Sequence, residues 1–361
     1  MTTTLARLPV VPAACLLLAA CASRGPGRIP PDRFNYNAAI AQSANEQMLL
    51  NLVRLRYSEI PVFLDVSSVL TQYVYMGSVG VAGSSGESWG DPLWSVGGSA
   101  TVRYLERPTI TYTPLKGTEF AEQLIQPIPT DMVFSLVESG WPPEELMIMT
   151  IFRVGDMVNV PFDANLQVTD AEKLRAFRTA MQQLIQLARL SAIEMQRLDR
   201  EGEEVRVLIF NEDADPQAQA LIDEFKSHVG LDPAQSDFEI TRKTMRLEPD
   251  EITVRVRSLL ELMGFLSHGV EVPSAHIEEQ RVRAPAASAD AWARTAIPLH
   301  VQSAVEPPER AYVAVQHQGH WFYIAHDDHT SKQAFGLLAY LFQMQSPQQK
   351  TMGPILTVPT G

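Results

Sequence analysis

From Trp94 to Tyr104 the chain alternates without a break. Trp94, Val96, Gly98, Ala100, Val102 and Tyr104 take one side of an extended chain, and Ser95, Gly97, Ser99, Thr101 and Arg103 take the other. A period of two belongs to a strand whose faces meet different surroundings, and no helix accommodates it. Tyr73 to Gly83 behaves alike, with Tyr73, Tyr75, Val79 and Val81 on one side. Ser84 to Pro92, polar and glycine-containing, predicts a loop between the two, so a hairpin is expected over 73–104. Such a hairpin has two uses. It can be an amphipathic sheet packed on its own domain, the favoured expectation, because half-buried soluble sheets alternate in the same way. It can instead face lipid. Trp94 and Tyr104 would then mark two interfaces, at a spacing near that of a bilayer-crossing strand. A single hairpin has unpaired edges, so the lipid option requires a ring of subunits.

The rest of the chain predicts α+β architecture. Phe34 to Tyr57 has helical spacing through Ile40, Ala44, Met48, Leu52 and Leu55, and Pro61 ends it. Short helices are expected at 117–125, 130–139 and 143–149. A long one is expected from about Thr169 to Arg200, with Leu174, Phe177, Met181, Leu184 and Leu187 as its apolar stripe. Beyond it, a strand at 205–210 and a helix at 216–228 precede an expected hairpin of 238–247 with 252–256. A helix at 258–267 and an alanine-rich loop at 284–290 follow. Strands at 296–305, 312–317 and 320–325, a helix at 332–343 and a short strand at 355–358 complete the chain. Length predicts two domains. The pattern breaks at Glu201 to Glu204, giving an N-terminal α+β domain over 34–202 (helix, long hairpin and helices). A mixed α+β domain with an antiparallel sheet is expected over 203–361.

The first residues carry a different signal. Arg7 precedes an apolar run from Leu8 to Ala20, and Leu18-Ala19-Ala20-Cys21 closes it. This segment resembles the bacterial lipobox, which implies a signal peptide over 1–20 and a lipid on the Cys21 thiol. In lipoproteins an Asp after the cysteine tends to hold the chain at the inner membrane. Ala22 stands there instead, which implies the outer membrane, with a palmitate-type anchor and the body in the periplasm. Residues 21–33, with Pro26, Pro30, Pro31, Gly25 and Gly27, suit a lipidated tether. The other of the two cysteines, Cys15, leaves with the signal, so disulfides, thiol catalysis and a cysteine zinc site are not expected. The net charge of −13 argues against nucleic acid and against anionic lipid surfaces as partners. Attachment must therefore come from the lipid or an apolar element.

Catalytic and metal motifs are sparse. His317, His320, His326 and His329 crowd one stretch beside Asp327 and Asp328. A strand spreads most of them too far apart for one ion, and only His326, Asp328 and His329 lie close enough to converge. No metal or other cofactor is expected. Ser78, Ser84 and Ser85 stand outside any nucleophile elbow. Gly77, Gly80 and Gly83 lack nucleotide-loop spacing and fit close packing in a strand. Glu144-Glu145 and Glu203-Glu204 have the character of solvated turns. The runs 45–57 (NEQMLLNLVRLRY), 107–112 (RPTITY) and 320–324 (HWFYI) resemble a family of uncharacterised bacterial envelope proteins, which offers no activity to transfer.

These features predict a non-catalytic outer-membrane lipoprotein whose periplasmic body binds or helps assemble an envelope component. The partner is an envelope protein or further copies of the chain. An oligomeric outer-membrane channel using the 73–104 hairpin comes second, and a periplasmic hydrolase a weaker third.

Overall fold

The computed structural model describes residues 29–88, 91–159, 171–200, 202–243, 248–283 and 297–345. Two compact units emerge: residues 62–116, and a body formed by the flanking chain on both sides. The class is α+β.

The body opens with α1 (Ile29–Arg56). It starts earlier than expected and takes in the end of the presumed tether. Pro30 and Pro31 fit because the first helical turn has no intrahelical partner for its N–H groups. Only its later half is covered: Met48, Leu49, Leu52 and Val53 are buried, whereas Phe34 is 72% exposed. After the second unit come α2 (Thr118–Ile125), α3 (Thr130–Glu138) and α4 (Pro143–Thr150), all at their expected places.

A six-stranded sheet follows, in the order β4-β3-β8-β7-β6-β5. Its strands are β3 (Ile151–Val154), β4 (Met157–Val158), β5 (Ile193–Arg200), β6 (Glu203–Phe210), β7 (Asp237–Thr241) and β8 (Glu251–Val256). Helices α5 (Ala171–Arg189) and α6 (Pro216–Val229) supply its core partners. Phe177, Met181, Ile185 and Leu187 of α5 join Phe210, Phe225, Phe238 and Ile252 in one buried cluster. Asp215 caps α6 by accepting from Gln217 N and Ala218 N at 2.9 Å, and Gly230 ends it in the left-handed region.

Three expectations are corrected here. The long helix stops at Arg189. Ser191 takes φ 52°, and 193–200 turn extended, since Ile193 and Met195 satisfy period two as well as a helix repeat. The boundary at 202/203 falls in the tight turn between β5 and β6, which pair from Ile193↔Phe210 to Arg200↔Glu203. One sheet and one core therefore cross the expected seam. Strands β7 and β8 are parallel neighbours rather than a hairpin. Apolar pattern reports burial and leaves strand direction open.

The remaining chain forms α7 (Leu259–Ser267), α8 (Ser274–Glu278), β9 (Gln302–Ala304), β10 (Ala311–His317), β11 (His320–Ala325) and α9 (His329–Gln345). Ser258 and Glu261 form a reciprocal capping box that starts α7. The expected strand 296–305 shrinks to β9, in an antiparallel sheet ordered β10-β11-β9. Gln318 and Gly319, at φ 48° and 88°, make the tight turn between β10 and β11. Residues 284–290 and 355–358, and the whole of 1–21, lie outside the described residues.

The second unit is a two-stranded antiparallel ribbon of β1 (Phe63–Ser88) and β2 (Asp91–Leu115). Residues expected to loop, 84–88 and 91–92, are paired. A ladder bonds through its backbone, so glycine and serine extend it where side-chain preference suggests a loop.

Candidate functional site

The hairpin residues singled out by sequence are brought together by the register of the ribbon. Residues directly opposite in an antiparallel pair share a face. The rungs Tyr75↔Tyr104, Gly77↔Val102, Val79↔Ala100, Val81↔Gly98, Gly83↔Val96 and Ser85↔Trp94 therefore form one face. That face carries no charged residue between its first and last rung. The intervening rungs, Met76↔Arg103, Ser78↔Thr101, Gly80↔Ser99, Ala82↔Gly97 and Ser84↔Ser95, form a small and largely polar face.

Ten residues separate Tyr75 from Ser85, and ten separate Trp94 from Tyr104. At about 3.3 Å per residue and a tilt of about 40°, that band is about 25 Å tall, the height of the apolar belt of an outer-membrane barrel. Tyrosines stand at one margin and Trp94 at the other, as interfacial girdles do. Pro92, Pro108 and Pro114 all lie outside the band, so both edges of the band keep every backbone N–H. One bulge, at Ser67, interrupts the register toward the base.

Across its length the ribbon has no third strand among the described residues. A two-stranded ribbon is marginal alone in water, and a strand edge with no neighbouring strand is a template for pairing with another chain. Exposed Ile110 and Tyr112 add apolar surface near the base.

The weak metal candidates do not converge. Asp328 starts α9: its carboxylate oxygens accept from Ser331 N at 3.0 Å and Ser331 Oγ at 2.6 Å. His326 gives its carbonyl to Lys332 Nζ. Among the described residues no three His, Cys, Asp or Glu side chains are placed to hold an ion.

Two other features of the body escaped the sequence, because distant segments build them. The Tyr57 hydroxyl and His276 Nδ1 share a hydrogen bond of 2.6 Å, and the rings of His317 and Tyr57 meet edge to face. His320 meets His276 at 4.5 Å between centroids. Burial pushes the Tyr57 hydroxyl up to about 12, against the nearby Arg56 and Arg281 charges, so it stays a neutral phenol. His317 Nε2 lies 3.2 Å from Glu59 Oε1 at an angle that leaves it unbonded, while Glu59 accepts from Gln318 Nε2 at 2.9 Å. The second feature is an apolar cavity of about 430 Å³ between the six-stranded sheet and helices α3 to α6. Met147, Met181, Leu184, Leu208 and Ile252 are among its walls, with Arg189, Glu194 and Arg206 as its polar members. Arg206 is paired with Asp131 and stacks over Phe134.

No family model, curated protein or solved structure matches the chain.

Proposed function

We propose that this chain is a non-catalytic outer-membrane lipoprotein, anchored through Cys21, whose copies pair their hairpins edge to edge into a membrane-crossing β-barrel channel. The observation that carries this is the ribbon. Its edges have no third strand among the described residues, one face is apolar over a bilayer's height, and the other carries mainly serine, threonine, glycine and alanine, with Met76 and Arg103 at one end. Lipid tolerates β-structure only when every edge is paired, so two strands per copy require closure by further copies. In such a ring, β1 of one copy would pair with β2 of the next. The apolar face would meet lipid, and the polar face would line the lumen.

The test is the mass of the full-length protein in detergent and its conductance in a planar bilayer. A discrete oligomer of at least four copies is expected, since about eight strands make the smallest barrels, together with stepwise conductance. A monomer in every detergent, with silent bilayers, overturns the channel. A fatty-acid label that persists on a Cys21→Ser variant would remove the anchor.

The apolar cavity of about 430 Å³ favours a second role for the periplasmic body, that of binding an envelope component with an apolar chain. Organic extraction of purified protein checks this, and a cavity that yields no lipid would count against it.

A further inference from the structure

The body holds a second concavity with the opposite chemistry. A cleft of about 670 Å³ lies between the end of α1 and the segment 267–283. Arg56, Arg281 and Arg283 line it beside Tyr57 and His268, and no carboxylate is among the described residues that line it. In a chain of net charge −13 this gathering of cations is out of character.

Arg56 is the central group. It is only 7% exposed. Its Nη2 donates to the Arg283 carbonyl oxygen at 3.1 Å, and no carboxylate pairs with it among the described residues. One neutral acceptor is little compensation for a buried guanidinium, which has five N–H donors and stays ionised. The end of α1 helps, because its last carbonyls favour a cation, and the other side of the residue borders the cleft. The groups lining the cleft beside it add no negative charge among the described residues, and the nearest carboxylates, Glu59 and Glu279, are engaged by Gln318 and Arg281. Burial, with the Arg56 charge as a second cause, pulls His268 down to about 4, so it is neutral at pH 7. Tyr57 is a neutral phenol. Arg281 is paired with Glu279, and both are about half exposed.

We infer that the cleft binds an oxyanion, a phosphate or phosphate ester, with Arg56 as its buried anchor and Arg281 and Arg283 at the rim. A guanidinium presents parallel N–H groups that match two oxygens of such a group, and several guanidiniums at one concavity are how proteins recognise it. The half-apolar wall, with Leu55, Ile277 and Val282, leaves room for the organic part of an ester. This site is independent of the barrel.

The experiment uses the full chain in phosphatidylcholine nanodiscs, titrated with inorganic phosphate against chloride at equal ionic strength, with melting temperature and calorimetric heat as readouts. Saturable binding that raises the melting temperature is expected, weakened at least tenfold by Arg56→Gln. Because Arg56 is buried, that variant could lose its fold. The double variant Arg281→Gln/Arg283→Gln changes only exposed groups, and it is expected to weaken binding while melting normally without phosphate. A parallel set of nanodiscs containing phosphatidylglycerol separates the sources. A response confined to that set, and lost in the double variant, supports a lipid headgroup as the oxyanion. No saturable response in either set, or one that the double variant leaves intact, overturns the site.

Discussion

Arg257 has the largest side chain among those wholly buried in the body, and no sequence motif announces it. Its guanidinium donates to the carbonyls of Ile148, Met149, Ile151 and Asn159, while the Asn159 amide donates to Ile148 and Ile151. Burial pulls its pKa down to about 9, opposed by Glu261, so it remains charged at neutral pH. It stacks over Phe265 at 4.2 Å. Such a group fastens the α4–β3 junction, with backbone acceptors taking the place of an anion. Buried histidines have a consequence that can be measured. His268 is pulled down to about 4 and His276 is also lowered, in each case first by burial. Their folded pKa values lie below the unfolded value, so the folded state binds fewer protons. The stability they contribute is complete above about pH 6.5 and is lost as pH falls toward 4, His268 accounting for up to about 3 kcal/mol. A melting series from pH 7.5 to 4 should therefore fall steadily, and His268→Gln should flatten it. A slope unchanged by that substitution would refute the assignment.

At the scale of elements, period two was legible and extent was not. Trp94 to Tyr104 announced a strand because both faces are written in its residues, and the register places those residues on one face as the alternation implies. The ladder nevertheless runs on through Ser84 to Ser88, where nothing in the side chains favours a strand. Likewise Leu187 to Met195 fits either a helix or a strand repeat, and only Ser191 in the left-handed region divides α5 from β5. The direction of β7 against β8, and the meeting of Tyr57 with His276, depend on contacts that no local window contains. The ribbon supplies its own test at this scale. Val102 lies opposite Gly77 on the apolar face, near the base of the band. If that face meets lipid, Val102→Asp places a carboxylate just inside the hydrocarbon at about 1 kcal/mol per copy, multiplied around a ring. Detergent-stable oligomers and conductance are expected to disappear, while the melting temperature of the body stays as it was. A large fall in that melting temperature would instead mean that the face is packed on protein, the arrangement the sequence first favoured.

At the scale of the molecule, the question is which pieces can stand alone. The sequence put its seam at 202, where charge and glycine interrupt the pattern, but Gly202 stands in a turn and Glu203 and Glu204 already pair in β6. The core explains why no seam lies there. Phe177, Met181, Ile185 and Leu187 precede the turn and share one cluster with Phe210, Phe225 and Phe238, which follow it. Removing those four side chains forfeits roughly 6–12 kcal/mol at about 1.5–3 each. That is comparable to the roughly 5–15 kcal/mol that holds a whole domain. Residues 203–361 expressed alone should therefore show no cooperative thermal transition. The unit 62–116 is the opposite case. Phe63 pairs with Leu115, so the first and last residues of the ribbon lie side by side. Joining Pro61 to Gly117 through a short glycine linker should leave a body that melts cooperatively near its original midpoint, monomeric and without conductance. If that deletion unfolds the body, the ribbon belongs to its core, and the free edges on which the channel rests are not free.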